Sequence, residues 1–195
     1  MNHIRNIAWI GNAATGCLRL LDQTKLPIDV TYLDCRNVPS VRDAIRRLSV
    51  RGAPAIGIAA AYGCVIGAQQ GDFEQTAEHL ATSRPTAVNL VWAIERMKKV
   101  KPRTVETLLT EAKNIHDQDA AMCRRIGEHA LTLLRREQTN ERPGILTHCN
   151  AGALATGGIG TATAPMYLAH KQHMPIHVYA DETRPLLQGA RLTAY

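Results

Sequence analysis

The chain has 195 residues, 45% of them hydrophobic and only 4% aromatic, with a formal net charge of +6. That length can bury the core of one domain or two small ones, and the shortage of rings leaves packing to alanine, leucine, isoleucine and valine. The basic excess is scattered over Arg42, Arg46, Arg47, Arg96, Lys98, Lys99, Lys101, Arg103, Arg124, Arg125, Arg135 and Arg136. It lacks the aromatic-interleaved stripe or zinc-finger spacing of a nucleic-acid binder, so solvated helix faces and a small phosphorylated partner are expected, with no nucleic acid.

The cysteines at 17, 35, 64, 123 and 149 form no C-x-x-C pair, and the amino terminus carries no long apolar leader. Both features point to a reduced, cytoplasmic protein. Residues 53–69 come close to a membrane helix in composition but fall short of the roughly 18 to 20 apolar residues a span requires. Their length and internal glycines suit a buried helix, and no membrane partner is expected.

In chain order, Ile7–Ile10, Cys17–Leu21 and Asp29–Leu33 are short apolar segments separated by Gly-Asn and Leu-Pro punctuation, which predicts a small antiparallel sheet. Helices follow. Ser40 is placed to cap Val41–Leu48, Pro54 to sit in the first turn of Ala55–Gln69, and Thr86 to cap Ala87–Val100. A long helix over 104–136 is predicted from apolar residues at Leu108, Ala112, Ile115, Ala120, Met122, Ile126, Ala130, Leu133 and Leu134.

The polar stretch Glu137–Pro143 reads as a linker, after which the pattern changes. Strands at Ile145–His148 and Ile176–Ala180 alternate with helices at Thr161–Lys171 and from Leu186 onward, the opening of a parallel α/β sheet. The expected fold class is therefore α/β. A small antiparallel sheet with a helical domain over 1–137 precedes the start of a Rossmann-like parallel domain over 144–195. Two parallel strands leave their apolar flanks without neighbours, so this second domain is expected to be incomplete and the chain to be a fragment of something longer.

Chemistry concentrates in three places. Arg51-Gly52-Ala53-Pro54 puts a guanidinium and small residues before a helix whose first amides lack partners, which suits an anion but equally suits an ordinary helix start. Ser83-Arg84-Pro85-Thr86 repeats the arrangement. Cys149 ends the first parallel strand and opens a glycine-rich loop through Thr161, where open α/β sheets collect ligands. Its thiol could serve as a thiolate or as a protonated acid, and sequence does not choose between them.

Two patterns compete with that reading. Gly158-Ile159-Gly160 with Asp181 imitates a dinucleotide fingerprint, but the loop is longer than the tight turn such a site needs, and Thr163 replaces the third glycine. His170, His173 and His177 imitate a metal set, yet Pro175 interrupts them and surface positions are the plainer account.

Taken together, Arg51–Gly57, the Thr147–Thr161 loop and Glu182-Thr183-Arg184-Pro185-Leu186-Leu187-Gln188-Gly189-Ala190-Arg191-Leu192-Thr193 closely resemble the methylthioribose-1-phosphate isomerase family. The resemblance spans essentially the whole chain, and its wider superfamily includes regulatory subunits of the eukaryotic translation-initiation exchange factor and ribose-1,5-bisphosphate isomerases. It implies an aldose–ketose isomerisation of 5-methylthioribose 1-phosphate in methionine salvage, without metal, nucleotide or other cofactor, by a homodimer. It further implies that Arg51, Gly52, Ala53, Arg84 and Gln188 bind substrate and that Cys149 is catalytic. The family's acidic aspartate and an Asn-Lys pair would lie beyond Tyr195. Another pentose 1-phosphate as substrate and a non-catalytic regulatory subunit are the alternatives.

Overall fold

The computed structural model describes residues 5–84, 86–136 and 142–195. An antiparallel sheet opens the chain, with strands β1 (Ile7–Ile10), β2 (Cys17–Leu21) and β3 (Tyr32–Cys35) in the order β1-β2-β3. The third strand lies later than the expected 29–33, with Leu18 opposite Cys35 and Leu21 opposite Tyr32. The reason is visible in the side chains. Ile28 and Val30 stay exposed, Cys35 is buried, and Arg19 grips Asp34 across the strands through Nε–Oδ1 at 2.6 Å and Nη2–Oδ2 at 2.8 Å. A buried residue and a charged cross-strand pair fix the register.

Helix α1 (Val38–Arg46) begins three residues before the expected Val41, because Asn37 and not Ser40 caps it. Asn37 Oδ1 accepts from the Ser40 amide at 2.9 Å, while the Ser40 hydroxyl donates to the Asn37 carbonyl. Helix α2 (Ala53–Gln69) carries Pro54 in its first turn and is buried on all sides from Ala55 to Gly67. That explains its membrane-like composition: it is the central helix of a protein core. Burial of side chains such as Ile58 and Ile66, each 1% exposed or less, stabilises the unit by about 1.5–3 kcal/mol apiece.

Around α2 pack α1, α3 (Phe73–Ala81) and α4 (Val88–Lys98). The approach of α4 is close enough that a methyl on Gly57 would stand 2.7 Å from the Asn89 carbonyl oxygen. Helix α3 is an addition to the expected elements. Helix α4 starts at Val88 after Ala87 with no side-chain cap, so the expected cap by Thr86 is corrected. Helix α5 (Val105–Arg136) matches the predicted long helix. Leu108, Ala112 and Ile115 join the core around α2, whereas Met122, Ile126 and Leu133 stay exposed.

The chain divides into two compact units, Met1–Asp117 and Gln118–Tyr195, the division falling within α5. Of the expected linker, residues 137–141 lie outside the described residues. The second unit contains β4 (Gly144–Thr147) and β5 (His177–Ala180), paired in parallel with Thr147 opposite Ala180. Between them lie a 3-10 turn at Ala153–Ala155 and helix α6 (Ala164–Lys171). The predicted helix from Leu186 is instead a single wide turn at Gly189–Thr193, closed by the Ala194 amide on the Gly189 carbonyl at 2.9 Å. The architecture is mixed α/β, with one antiparallel and one parallel sheet. No helix among the described residues is long and apolar enough to cross a membrane.

Candidate active site

In the first unit, Arg51, Gly52 and Ala53 form the entrance to α2. Gly52 adopts φ +96° directly before the helix, and no side chain caps its first amides. A left-handed backbone of this kind suits glycine, and uncapped first-turn amides attract anions. Arg51 is only 7% exposed. Arg84 belongs to a separate connection between α3 and α4, where its carbonyl accepts from the Ala87 amide at 3.0 Å.

In the second unit, Cys149 follows β4 with φ +62° and is exposed, whereas Cys17, Cys35, Cys64 and Cys123 are buried. Burial pushes the Cys64 thiol up to about 12 and raises that of Cys123 as well. A non-glycine residue in the left-handed region costs on the order of 1–3 kcal/mol, and such residues cluster at functional sites. The Cys149 conformation is held from the far end of the chain, where the Thr193 hydroxyl donates to the Cys149 carbonyl.

The carboxyl ends of the two parallel strands meet beside this cysteine. The Asp181 amide donates to the Thr147 carbonyl at 2.9 Å, and Asp181 Oδ2 lies 3.4 Å from His148 Nδ1. The Thr147 hydroxyl is buried with no partner among the described residues. Gln188 is half-buried, and its amide oxygen accepts from the Thr183 hydroxyl. Cys149 and the segment carrying Gln188 are thus brought together within one unit.

The glycine loop gets its shape from threonines of its own stretch and from an acid that no sequence motif marks. Asp119, on α5, accepts from the Gly157 amide at 2.6 Å and receives the Cys123 thiol at 3.9 Å. Thr156 Oγ1 accepts from the Gly158 and Gly160 amides, and the Thr163 hydroxyl donates to the Ile159 carbonyl. The single trace of Asp119 in the sequence is its position four residues after Ile115, an acid in register with an apolar stripe. Glu182, the first residue of the 182–193 run, has a capping role that its sequence does not signal. Its carboxylate accepts from the amides of Thr183, Gly189 and Ala190 at 2.7, 2.9 and 3.1 Å. Those bonds, the one from Thr183 foremost, hold its carboxyl below the usual value.

The same contacts place the residues of the two competing motifs. Gly158 packs on α5, where a methyl would stand 2.9 Å from Ala120 Cα, and α6 starts only at Ala164 because residues 161–163 close the loop. The connection from β4 to α6 therefore runs from His148 to Thr163 and includes a 3-10 turn. His170 lies in the last turn of α6, His173 in the turn beyond it, and His177 against the Tyr179 ring at 4.4 Å between centroids. Among the described residues no group of three or more histidine, cysteine or acidic side chains is placed to hold a metal.

The chain is 51% identical over 91% of its length to a methylthioribose-1-phosphate isomerase from Rhodopirellula baltica, covering 54% of that protein. It is 49% identical over 96% of its length to a 5-deoxyribose 1-phosphate isomerase from Bacillus cereus, covering 57% of it. The chain therefore spans about half the length of the curated relatives it matches. Its backbone superposes on the crystal structure of 5-methylthioribose 1-phosphate isomerase from Pyrococcus horikoshii with a TM-score of 0.86 and 34% identity, over 100% of this chain and 57% of that one. For translation initiation factor eIF-2B, subunit delta, from A. fulgidus, the TM-score is 0.80 and the identity 39%, over 99% and 58%. Residues 49–195, from the α2 entrance to the Gly189 turn, match the Initiation factor 2 subunit family, and the chain belongs to that family.

Proposed function

We propose that the protein is an aldose–ketose isomerase converting 5-methylthioribose 1-phosphate into 5-methylthioribulose 1-phosphate in methionine salvage. The observation that carries this reading is the exposed, left-handed Cys149 at the end of β4, in a chain 51% identical to a protein named for that reaction. With phosphate on the anomeric oxygen, no free aldehyde is available. The bond from C1 to the ring oxygen breaks and the C2 hydrogen moves to C1. The C2 hydroxyl gives up its proton while the released ring oxygen takes one to become the C4 hydroxyl, so that C2 becomes the carbonyl and C1 the phosphate-bearing methylene. Substrate and product are isomers, and the step needs no external oxidant or reductant.

In this reading the substrate phosphate is received by Arg51 and the first amides of α2, with Gly52 and Ala53 small enough to let it approach, and by Arg84. Gln188 hydrogen-bonds a sugar hydroxyl. Cys149 shuttles a proton or stabilises the transition state during hydrogen transfer, and exclusion of water protects the opened sugar. Residues 144–195 belong to the first part of a Rossmann-like catalytic domain and residues 1–137 to an N-terminal β-hairpin and helical domain. We place the enzyme in the cytoplasm, a compartment that suits its free cysteines, and, as the family resemblance implies, as a homodimer.

A second reading is favoured by the relatives named 5-deoxyribose 1-phosphate isomerase: the same chemistry on a pentose lacking the methylthio group. Protein expressed from the complete reading frame should convert one or both sugar phosphates, followed by NMR, and the ratio of kcat/KM values chooses between them. Cys149→Ala should lower kcat by about 100-fold or more, and Arg51→Gln should mainly raise KM. Unchanged turnover in Cys149→Ala removes the thiol from the reaction. Failure on both sugars would leave the fold serving as a regulatory subunit, like the eIF-2B delta chain it superposes on.

A further inference from the structure

Helices α1 and α3 pack against each other and leave an open recess of about 370 Å³ lined by Pro39, Arg42, Asp43, Arg46, Arg47 and His79. None of these residues belongs to the proposed isomerase site. The recess holds three guanidinium groups and one imidazole against a single carboxylate. Arg47 is committed: its Nε donates to the Ser49 hydroxyl at 3.0 Å, and it pairs with Asp43 at 3.3 Å and Asp22 at 3.6 Å. That pairing also occupies the recess's own carboxylate. Arg42 and Arg46 have no side-chain hydrogen bond or ion pair among the described residues, and the Nε of Arg42 is buried without a partner.

This arrangement is unfavourable as it stands. Arg42 and Arg46 lie four residues apart on α1, so two like charges face one another along a helix with no counter-charge. A buried guanidinium N–H without an acceptor adds a desolvation penalty. Both costs vanish if a dianion with several acceptor oxygens enters, since guanidinium forks match tetrahedral oxyanions in pairs. We propose that the recess between α1 and α3 is a binding site for a phosphate group, as inorganic phosphate or as the phosphate of a small monoester, held by Arg42 and Arg46 with His79 at its rim. The volume leaves room for the organic part of a phosphorylated metabolite.

His79 supplies a local reporter. Its imidazole resonances, assigned through His79→Gln, are followed by NMR while inorganic phosphate or ribose 5-phosphate is raised through the millimolar range at constant ionic strength. Saturable movement of the His79 signals is expected. Arg42→Gln and Arg46→Gln should each weaken the affinity about tenfold, the loss of one charge-assisted partner. Arg51→Gln should leave the titration unchanged, which separates this recess from the α2 entrance and from any failure of the isomerase reading. Arg46 is exposed at the helix surface, so its variant keeps the test valid if Arg42→Gln does not fold. Tighter binding of the sugar ester would identify the ligand as a metabolite, and equal binding as the inorganic ion. No saturable shift, the same shift with sodium chloride, or titrations unaltered in both arginine variants would overturn the proposal.

Discussion

Replacing Gly160 with alanine isolates what holds the cysteine loop in shape. Gly160 has φ +88°, and a methyl there would stand 2.3 Å from Thr163 Oγ1, 2.6 Å from the Ala151 carbonyl oxygen and 2.7 Å from the Gly152 carbonyl carbon. The last two are backbone atoms, tied in place by the Thr161 amide donating to the Ala151 carbonyl at 3.0 Å. A natural control exists in Gly71, with φ +77° and open space around its would-be methyl. Gly71→Ala should cost only the conformational term, about 1 kcal/mol. Gly160→Ala adds a backbone shift and the loss of one or two hydrogen bonds, for a total of about 3 kcal/mol.

Hydrogen exchange at single amides separates the two units, which a global melting curve does not. The Asp72 amide, bonded to the Gly67 carbonyl at 2.9 Å, should exchange about 5-fold faster in Gly71→Ala. The Thr161 amide should exchange about 150-fold faster in Gly160→Ala, following from those energies. Turnover should fall with it, because the loop begins at Cys149. If Thr161 in Gly160→Ala accelerates no more than Asp72 in Gly71→Ala, the loop is not closed on its own backbone and the account of its rigidity fails.

Two further outcomes are expected. Glu182 is held below its ordinary value of 4.5, so the folded state favours its ionised form. The contribution it makes to the 182–190 turn is therefore complete above about pH 4.5 and is lost as pH falls through the lowered folded value. Protection of the Gly189 and Ala190 amides, taken relative to intrinsic exchange at the same pH, should fall on acidification through that window and become insensitive to it in Glu182→Gln. A pH-independent wild-type profile would contradict the capping role. For the thiols, a water-soluble disulfide reagent should modify one cysteine rapidly in the native protein, with that fast phase absent from Cys149→Ala. Rapid labelling of Cys64, whose burial lifts it to about 12, would contradict the core packing.

Much of the architecture follows from local pattern. Strands β1 and β2, the apolar helix α2 with proline in its first turn, and the 32-residue α5 are written in period and punctuation. So is the parallel pair β4 and β5, set off by glycine and proline. The position of Cys149 after a strand and before a glycine loop is equally local, and so is the run from Arg51 to Ala53 before α2.

What only tertiary structure decided are contacts between residues distant in sequence. The register of β3 depends on Arg19 meeting Asp34, and the shape of the glycine loop on Asp119 reaching Gly157 from α5. The backbone of Cys149 is tied by Thr193, and the last turn is capped by Glu182 in place of a longer helix. Periodicity records which face of an element is apolar; it does not record which distant polar group will satisfy a particular amide. That choice is made by the packing that brings the two together, because a buried donor must find its acceptor wherever the fold supplies one.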